Sequence, residues 1–338
     1  MFQQNVSLKP YNTFGIEATA KLFATFHSVE ELAALVIEGQ QTSSNPSLIL
    51  GGGSNILLTK NVDGLVLKNE IYGIEKVAED EEHIYIKAGA GENWHQFVLY
   101  CLEKAYAGVE NLALIPGSVG ASPMQNIGAY GVEIKDVFHQ LEAFHIQEKV
   151  FQTFSVNDCK FGYRESVFKH QYKGQFVITS VTYKLFKTPI FHTSYGAIQK
   201  ELENMDVKEL SIQNIAQAVI NIRSSKLPDW KIIGNAGSFF KNPEIENKQY
   251  EDLKKLFPNI VAFPLPNGNV KLAAGWLIEQ CGWKGYRNGD VGCYPKQALV
   301  LVNYGNATGA AIYELSEKIL QSVKEKFEVT LEREVNIV

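Results

Sequence analysis

NLALIPGSVGASPMQNIGAYG, residues 111–131, carries no charged side chain and four glycines. Pro116, Gly117, Gly120 and Pro123 interrupt it too often for one helix or one strand. It is also too apolar, and too poor in Lys and Glu, for a flexible linker. What remains is ordered, irregular backbone, largely buried, whose N–H and C=O groups need partners. A large polar ligand would supply them, since glycine permits close approach and successive N–H groups in a turn form a concave anion site.

A second stretch upstream has the same character. Residues 47–55 read SLILGGGSN, a short apolar strand running into three glycines, then Ser54 and Asn55. Strand followed by glycine turn recurs where backbone donors surround a phosphate. A tight turn accounts for one glycine triplet equally well, but two such segments point to an anionic ligand of dinucleotide size. Neither GxGxxG opening a helix nor GxxxxGK[ST] is present, so neither a Rossmann site nor a P-loop is indicated.

The bulk composition narrows the class. With 338 residues, 45% hydrophobic and 20% charged, an ordinary soluble protein of two or three domains is expected. A net charge of −5 without a basic stripe argues against nucleic acid as a partner. No apolar run reaches membrane-spanning length, and MFQQNVSLKP is not a secretory leader. Cys101, Cys159, Cys281 and Cys293 lie far apart with no CxxC pair, so reduced thiols in a cytoplasmic protein are expected. The seven histidines are scattered, and no metal site is expected. Read as complete in itself, the chain is expected to act as a monomer.

Along the chain, a strand through Leu22, Ala24 and Phe26 precedes a capping box, Ser28-x-x-Glu31. That box starts a helix with Leu32, Leu35 and Val36, which Gly39 is expected to stop. Strands follow at Ser47–Leu50 and Gly64–Leu67. A strand at His83–Lys87 leads through Gly89-Ala90-Gly91 to a helix from Asn93 to about Lys104, with Trp94, Phe97, Val98 and Cys101 on one face. Period-2 strands are expected at Leu141–Ile146, Val150–Phe154 and Phe176–Leu185. A helix over Ile212–Ile222 gives way to a polar, turn-rich section from Arg223 to Pro243. Helices at Lys248–Phe257, Leu272–Gln280 and Thr308–Phe327 surround a strand at Ala298–Val302, and Glu328–Val335 closes the chain as a strand.

Three polar clusters offer chemistry. In Lys160–Ser166, Arg164 beside two aromatics presents a planar cationic fork suited to a carboxylate or phosphate; a surface pairing with Glu165 is the alternative. In Arg223–Pro228 and Gly234–Pro243, small residues leave the Ser238 hydroxyl at an exposed turn. Arg223, Lys226 and Asn242 add donors nearby, though the motif alone favours Ser238 as a simple turn or N-cap residue. In Leu331–Val335, strand geometry puts Glu332 and Glu334 on one face, turned into a cleft or toward solvent.

Together these segments, in this order and spacing, closely resemble the UDP-N-acetylenolpyruvoylglucosamine reductase family over nearly the whole chain. IPGSVGASPMQNIGAYG and GNAGSFFKNP are the most specific parts. The resemblance implies an α+β fold: a vanillyl-alcohol-oxidase-type FAD module of two αβ subdomains (1–70 and 71–220) and a C-terminal α+β substrate-binding domain (221–327). Residues 328–338 are then a strand returning to the active site. It implies non-covalent FAD, with Gly51, Gly52, Gly53, Ser54 and Asn55 around the pyrophosphate. Pro116, Gly117, Ser118, Gly120, Ala121, Gln125, Asn126 and Gly128 would line the rest of the cofactor.

The implied reaction acts on a CH–CH bond in peptidoglycan synthesis. NADPH gives hydride to flavin N5; N5 then gives it to the vinyl C3 of the enolpyruvyl group of UDP-N-acetyl-3-O-(1-carboxyvinyl)-glucosamine, forming UDP-N-acetylmuramate. Ser238 matches the family's proton donor to C2. Arg164 and Glu334 match its pair at the substrate carboxylate, with Glu334 carrying a proton so as not to repel it. Tyr195 in Thr193–Gly196 resembles the tyrosine of a mobile loop in the first type of the family. Lys226, Asn242 and Gln297 match positions that contact the UDP moiety, and Tyr130 and Arg223 match further substrate-side positions. An oxidase on the same fold, or a non-catalytic nucleotide-sugar binder, explains less, because neither needs Ser238, Arg164 and Glu334 together.

Overall fold

A computed structural model of the protein describes residues 2–41 and 46–338. They form two compact units. One takes the chain up to Val6, Ala20–Gly52 and Val62–Ser225; the other takes Ser7–Thr19, Gly53–Asn61 and Lys226–Val338.

Besides the two-stranded ribbon of Gly128–Ala129 and Val132–Glu133, the first unit contains two larger sheets. The smaller runs Gln3–Ser7, Thr19–Phe26, Val62–Asn69, Pro46–Leu50 in spatial order, and the last three strands are mutually parallel. The helix Val29–Gln41 buries Leu32 and Val36. Ser28 Oγ accepts the Glu31 N–H at 3.2 Å, while the Glu31 carboxylate reaches back one residue further than a capping box needs, to the His27 N–H at 2.7 Å. The helix runs through Gly39 to Gln41 instead of stopping there. A helical glycine costs only about 1 kcal/mol, less than burial of a single Leu or Val contributes.

The larger sheet is antiparallel, in the order Phe151–Ser155, Phe138–His145, Phe176–Phe186, His83–Gly89, Ile74–Glu79. Against it lies the helix Trp94–Glu103, started by Asn93, whose side chain accepts the Gln96 N–H. Its buried face is Trp94, Phe97, Val98, Cys101 and Leu102. Trp94 and Phe97 pack on Tyr183 of the central strand, with centroids 5.8 and 4.7 Å away. The Tyr183 hydroxyl shares a 2.7 Å hydrogen bond with Ser122. A buried phenol needs such a partner, and this one fastens the glycine-rich stretch to the sheet.

The helix Ile212–Lys226 outruns its reading, so Arg223 and Lys226 are helical and not in a turn. Its polar last turn masks the continuation, and the helix ends ahead of Pro228, as the restriction on the residue before a proline requires. The helix Gly196–Asn204 was not anticipated; it buries only Ile198 and Leu202, one turn apart.

The second unit has a four-stranded sheet ordered Gly234–Asn235, Leu301–Asn303, Val291–Cys293, Arg287–Asn288. A three-stranded sheet, Glu244–Ile245, Val270–Leu272, Ala262–Pro264, accompanies it. Helices span Asn247–Leu256, Ala274–Gln280 and Gly309–Phe327, the last capped by Thr308 Oγ1 accepting the Ala311 N–H. The strand expected over Glu328–Val335 is absent. That segment makes one bridge, Arg333 with Phe240, and the terminal strand is Asn336–Ile337, parallel to Ile56–Leu57. The four cysteines are free thiols, and burial pushes Cys159 and Cys293 up to about 12. No helix is long and apolar enough to cross a membrane among the described residues.

Candidate active site

In the first unit the two glycine turns touch through their backbones. A Cβ on Gly52 would come within 2.7 Å of the Gly117 Cα, and one on Gly51 within 2.5 Å of Ser118 Oγ. Gly117 itself takes φ +123°, which only glycine adopts freely. The second turn is held from below: Trp94 N–H donates to the Gly117 carbonyl, Val119 N–H to Glu92 and Gly120 N–H to Ala90, all at 2.8–3.0 Å. By contrast, among the described residues the N–H groups of Gly51 and Gly52 donate to no protein acceptor, and Gly52 is exposed. Open donors on a glycine turn braced by a second turn fit the diphosphate of a dinucleotide cofactor.

Arg164 occupies the tip of a tight turn closed by reciprocal backbone bonds between Gly162 and Glu165. It adopts φ +55°, and its guanidinium donates to the carbonyls of Gly128 and Asn126. Gly128 makes room for it, because a Cβ there would lie 3.0 Å from an Arg164 guanidinium nitrogen. Asn126, 0% exposed at φ +44°, holds this turn in place. Its Nδ2 donates to the Gly162 carbonyl and to Glu133, and its Oδ1 accepts the Lys135 N–H. The Asn126 amide is thus engaged within the protein. Glu165, read as a possible surface partner of Arg164, hydrogen-bonds His170 at 2.5 Å.

Tyr130, Arg223 and Tyr195 form a second group in this unit. The rings of Tyr130 and Tyr195 meet edge to face at 5.4 Å, and Arg223 hydrogen-bonds Tyr130. Burial raises the Tyr130 pKa; burial lowers that of Arg223, with Arg164 adding repulsion. Tyr195 is 49% exposed and precedes the helix Gly196–Asn204.

Three neighbours were not singled out from the sequence. Asn111, fully buried, donates through Nδ2 to the carbonyls of Tyr130 and His192 at 3.0 and 2.8 Å. Glu110 is buried beside it, its carboxyl raised in pKa by desolvation. His95 accepts the Leu114 N–H. Asn111 and Glu110 border the glycine-rich run, so a search for polar side chains in an apolar stretch finds them. Nothing local marks His95.

In the second unit, Ser238 lies half-buried before Phe239 and Phe240, both buried. Phe239 N–H donates to the Leu299 carbonyl at 2.7 Å. The bridge between Phe240 and Arg333 brings the C-terminal segment alongside: Glu334 N–H donates to the Phe239 carbonyl and Lys241 N–H to the Glu332 carbonyl, each at 2.9 Å. Glu334 is half-buried, whereas Glu332 is exposed and pairs with Lys241. Asn55 joins the group, its Nδ2 donating to the Glu334 carbonyl at 3.3 Å and its own carbonyl accepting from Asn336 N–H at 3.1 Å. Gly53, at φ +61°, packs on the Tyr11 carbonyl so closely that no Cβ fits.

Asn242 and Gln297 converge on the start of the helix Ala274–Gln280. Asn242 Oδ1 accepts the Ala274 N–H at 2.9 Å. Gln297 Oε1 accepts the Leu299 N–H at 3.2 Å and lies 2.9 Å from where a Gly275 Cβ would be. With both oxygens engaged, each amide presents its NH2 as a donor. Lys226 is exposed.

Comparison with known proteins agrees with this geometry. Residues 20–152 match a family described as an FAD binding domain, and residues 228–338 match the UDP-N-acetylenolpyruvoylglucosamine reductase C-terminal domain. The crystal structure of UDP-N-acetylenolpyruvylglucosamine reductase from Thermus caldophilus superposes with a TM-score of 0.66 at 24% identity, covering 100% of this chain and 99% of that one. At that identity it speaks to the fold, an α+β chain with an FAD-binding module and a C-terminal domain. The reductase of Flavobacterium johnsoniae is 49% identical over 337 residues. That of Amoebophilus asiaticus is 52% identical over 336 residues, 99% of each chain. Identity of that order across the full length leaves one conclusion: the chain belongs to the UDP-N-acetylenolpyruvoylglucosamine reductase family.

Proposed function

We propose that this chain, by family an FAD-binding oxidoreductase of peptidoglycan synthesis, takes NADPH as hydride donor. Its substrate is the enolpyruvyl ether UDP-N-acetyl-3-O-(1-carboxyvinyl)-glucosamine, reduced to UDP-N-acetylmuramate by a cytoplasmic monomer. Bound FAD supplies a two-electron hydride relay from the nicotinamide to the vinyl carbon C3. Residues 1–70 and 71–220 hold the cofactor, 221–327 the sugar nucleotide. Gly51, Gly52, Gly53, Ser54 and Asn55 wrap the diphosphate; Pro116, Gly117, Ser118, Gly120, Ala121, Gln125 and Gly128 line the remainder. Asn126 contributes backbone only, its amide serving the Arg164 turn.

Hydride arrival at C3 leaves negative charge at C2, delocalised into the carboxylate. Arg164 balances that charge from a turn whose geometry is set in advance, the preorganised role that lowers a barrier. Ser238 gives its hydroxyl proton to C2. A hydroxyl is a weak acid, and an enolate-like carbon is basic enough to take its proton. Glu334, protonated, hydrogen-bonds the carboxylate without repelling it. Lys226 meets the diphosphate as a point charge, while Asn242 and Gln297 donate to acceptors on the UDP. Tyr195, with Tyr130 and Arg223 behind it, closes over the nucleotide.

The observation that carries the reading is the Phe240–Arg333 bridge, which sets Glu334 one hydrogen bond from the residue after Ser238. Anaerobic titration tests it. NADPH should bleach the flavin absorbance, and only the enolpyruvyl sugar nucleotide should restore it rapidly. Restoration by unrelated enolpyruvyl ethers at the same rate would sink the substrate assignment.

A further inference from the structure

Leu114 stands at the entry to the Pro116–Gly120 turn with φ +58°, a conformation that L side chains other than Asn and Asp rarely take. Its peptide groups are gripped from two helices. The N–H donates to Nδ1 of His95, on the helix Trp94–Glu103, at 3.0 Å. The carbonyl accepts from Nε of Arg223, on the helix Ile212–Lys226, at 3.3 Å. Two residues further on begins the turn whose Gly117 abuts Gly52. Nδ1 accepts a hydrogen bond only when it carries no proton, so the contact requires a neutral imidazole with its hydrogen on Nε2.

We infer that His95 is a positioning residue for the flavin loop: by accepting the Leu114 N–H it holds the left-handed turn from which Pro116–Gly120 is presented. The inference rests on the assignment of that loop to FAD made above. Without the acceptor, the strained Leu114 conformation loses one of its two restraints. Protonation has the same effect, because donor then faces donor. Burial of the ring, and the Arg223 guanidinium, lower the His95 pKa below the ordinary histidine value. Among the described residues Arg223 is the charged group acting on the ring, and Leu114 offers it only backbone. The unfolded chain therefore binds this proton more readily than the folded one. The contribution is complete above the ordinary histidine value and is lost as pH falls from there through the lowered folded-state value.

The experiment follows FAD release from the holoenzyme by flavin fluorescence after dilution, at about pH 7.5 and at about pH 4.5, far enough below the ordinary imidazole range to reach a lowered value. His95→Asn keeps an acceptor at the δ position but cannot take up a proton; His95→Leu removes the acceptor. His95→Leu should release FAD about tenfold or more faster at both pH values, the usual worth of a lost hydrogen-bond partner. His95→Asn should stay within about threefold of wild type at the higher pH and lack the acceleration that wild type shows at the lower. Wild-type release rates from His95→Leu would overturn the inference. Should His95→Leu not fold, superimposable pH profiles for wild type and His95→Asn would overturn it equally. Gly52→Ala, which forces the two turns apart, separates the two readings. If it speeds release and His95→Leu does not, the inference about His95 alone fails; if it changes nothing, the loop assignment fails and the inference with it.

Discussion

Asn126 and Ser238 illustrate how differently two polar residues in glycine-rich surroundings are used. Asn126 is sealed in, and each side-chain atom that can hydrogen-bond has a protein partner. From the sequence it was one more polar residue beside a cofactor, since side-chain bonds to residues 133, 135 and 162 leave no local trace. Ser238 was legible as a small residue at a turn, and it is half-buried there. Its backbone is fixed by the neighbouring Phe239, through Leu299 on one side and Glu334 on the other, so loss of the hydroxyl should leave the fold unchanged. Ser238→Ala is expected to accept electrons from NADPH at nearly the normal rate. Its reoxidation by the enolpyruvyl substrate should slow by ~10²–10⁴, the worth of a general acid. Rapid-mixing absorbance separates the two half-reactions, and equal slowing of both would rule out the proton-donor role.

Turns, helices and strands were readable wherever a local signal suffices. Asn93 and Thr308 cap the helices they were expected to start, and the apolar stripe of each is the buried face. Among the elements that depart from the sequence reading, two show why. Alternation in Glu328–Val335 looks like a strand, but ladder partners are decided by distant chain, and only Arg333 finds one there. A polar end hid the last turn of Ile212–Lys226. The packing of one turn on another was also invisible, although it has measurable consequences. Gly120 faces Ala90 so closely that a Cβ would lie 2.5 Å from the alanine methyl. Gly120→Val should therefore lift the 117–120 turn off the 89–91 turn, at about 1–3 kcal/mol of overpacking. The purified variant should keep the wild-type far-ultraviolet circular dichroism yet lose most of its yellow colour. A fully flavinated Gly120→Val protein would show that this turn has no part in holding the cofactor.

Each unit is assembled from separate stretches of chain, which no local pattern announces. In the second, Gly53–Asn61 is bound by the last residues. Val338 N–H donates to the Leu57 carbonyl, its carbonyl accepts from Thr59 N–H, and Asn336 N–H donates to the Asn55 carbonyl, at 2.7–3.1 Å. Deleting 336–338 removes these together and should cost about 2–4 kcal/mol at roughly 1 kcal/mol per bond. Chemical denaturation should show a lower midpoint, and a variant as stable as the parent would refute the estimate.

The Asn336 side chain also donates to the Asn55 carbonyl, across 281 residues of sequence. On a ribosome adding 5–20 residues per second, Asn55 would emerge roughly 15–55 s before that partner exists. Through that interval the nascent segment 53–61 lacks the strand Asn336–Ile337 that pairs with it, and its apolar Ile56, Leu57 and Leu58 stay open to chaperones until those residues have been made.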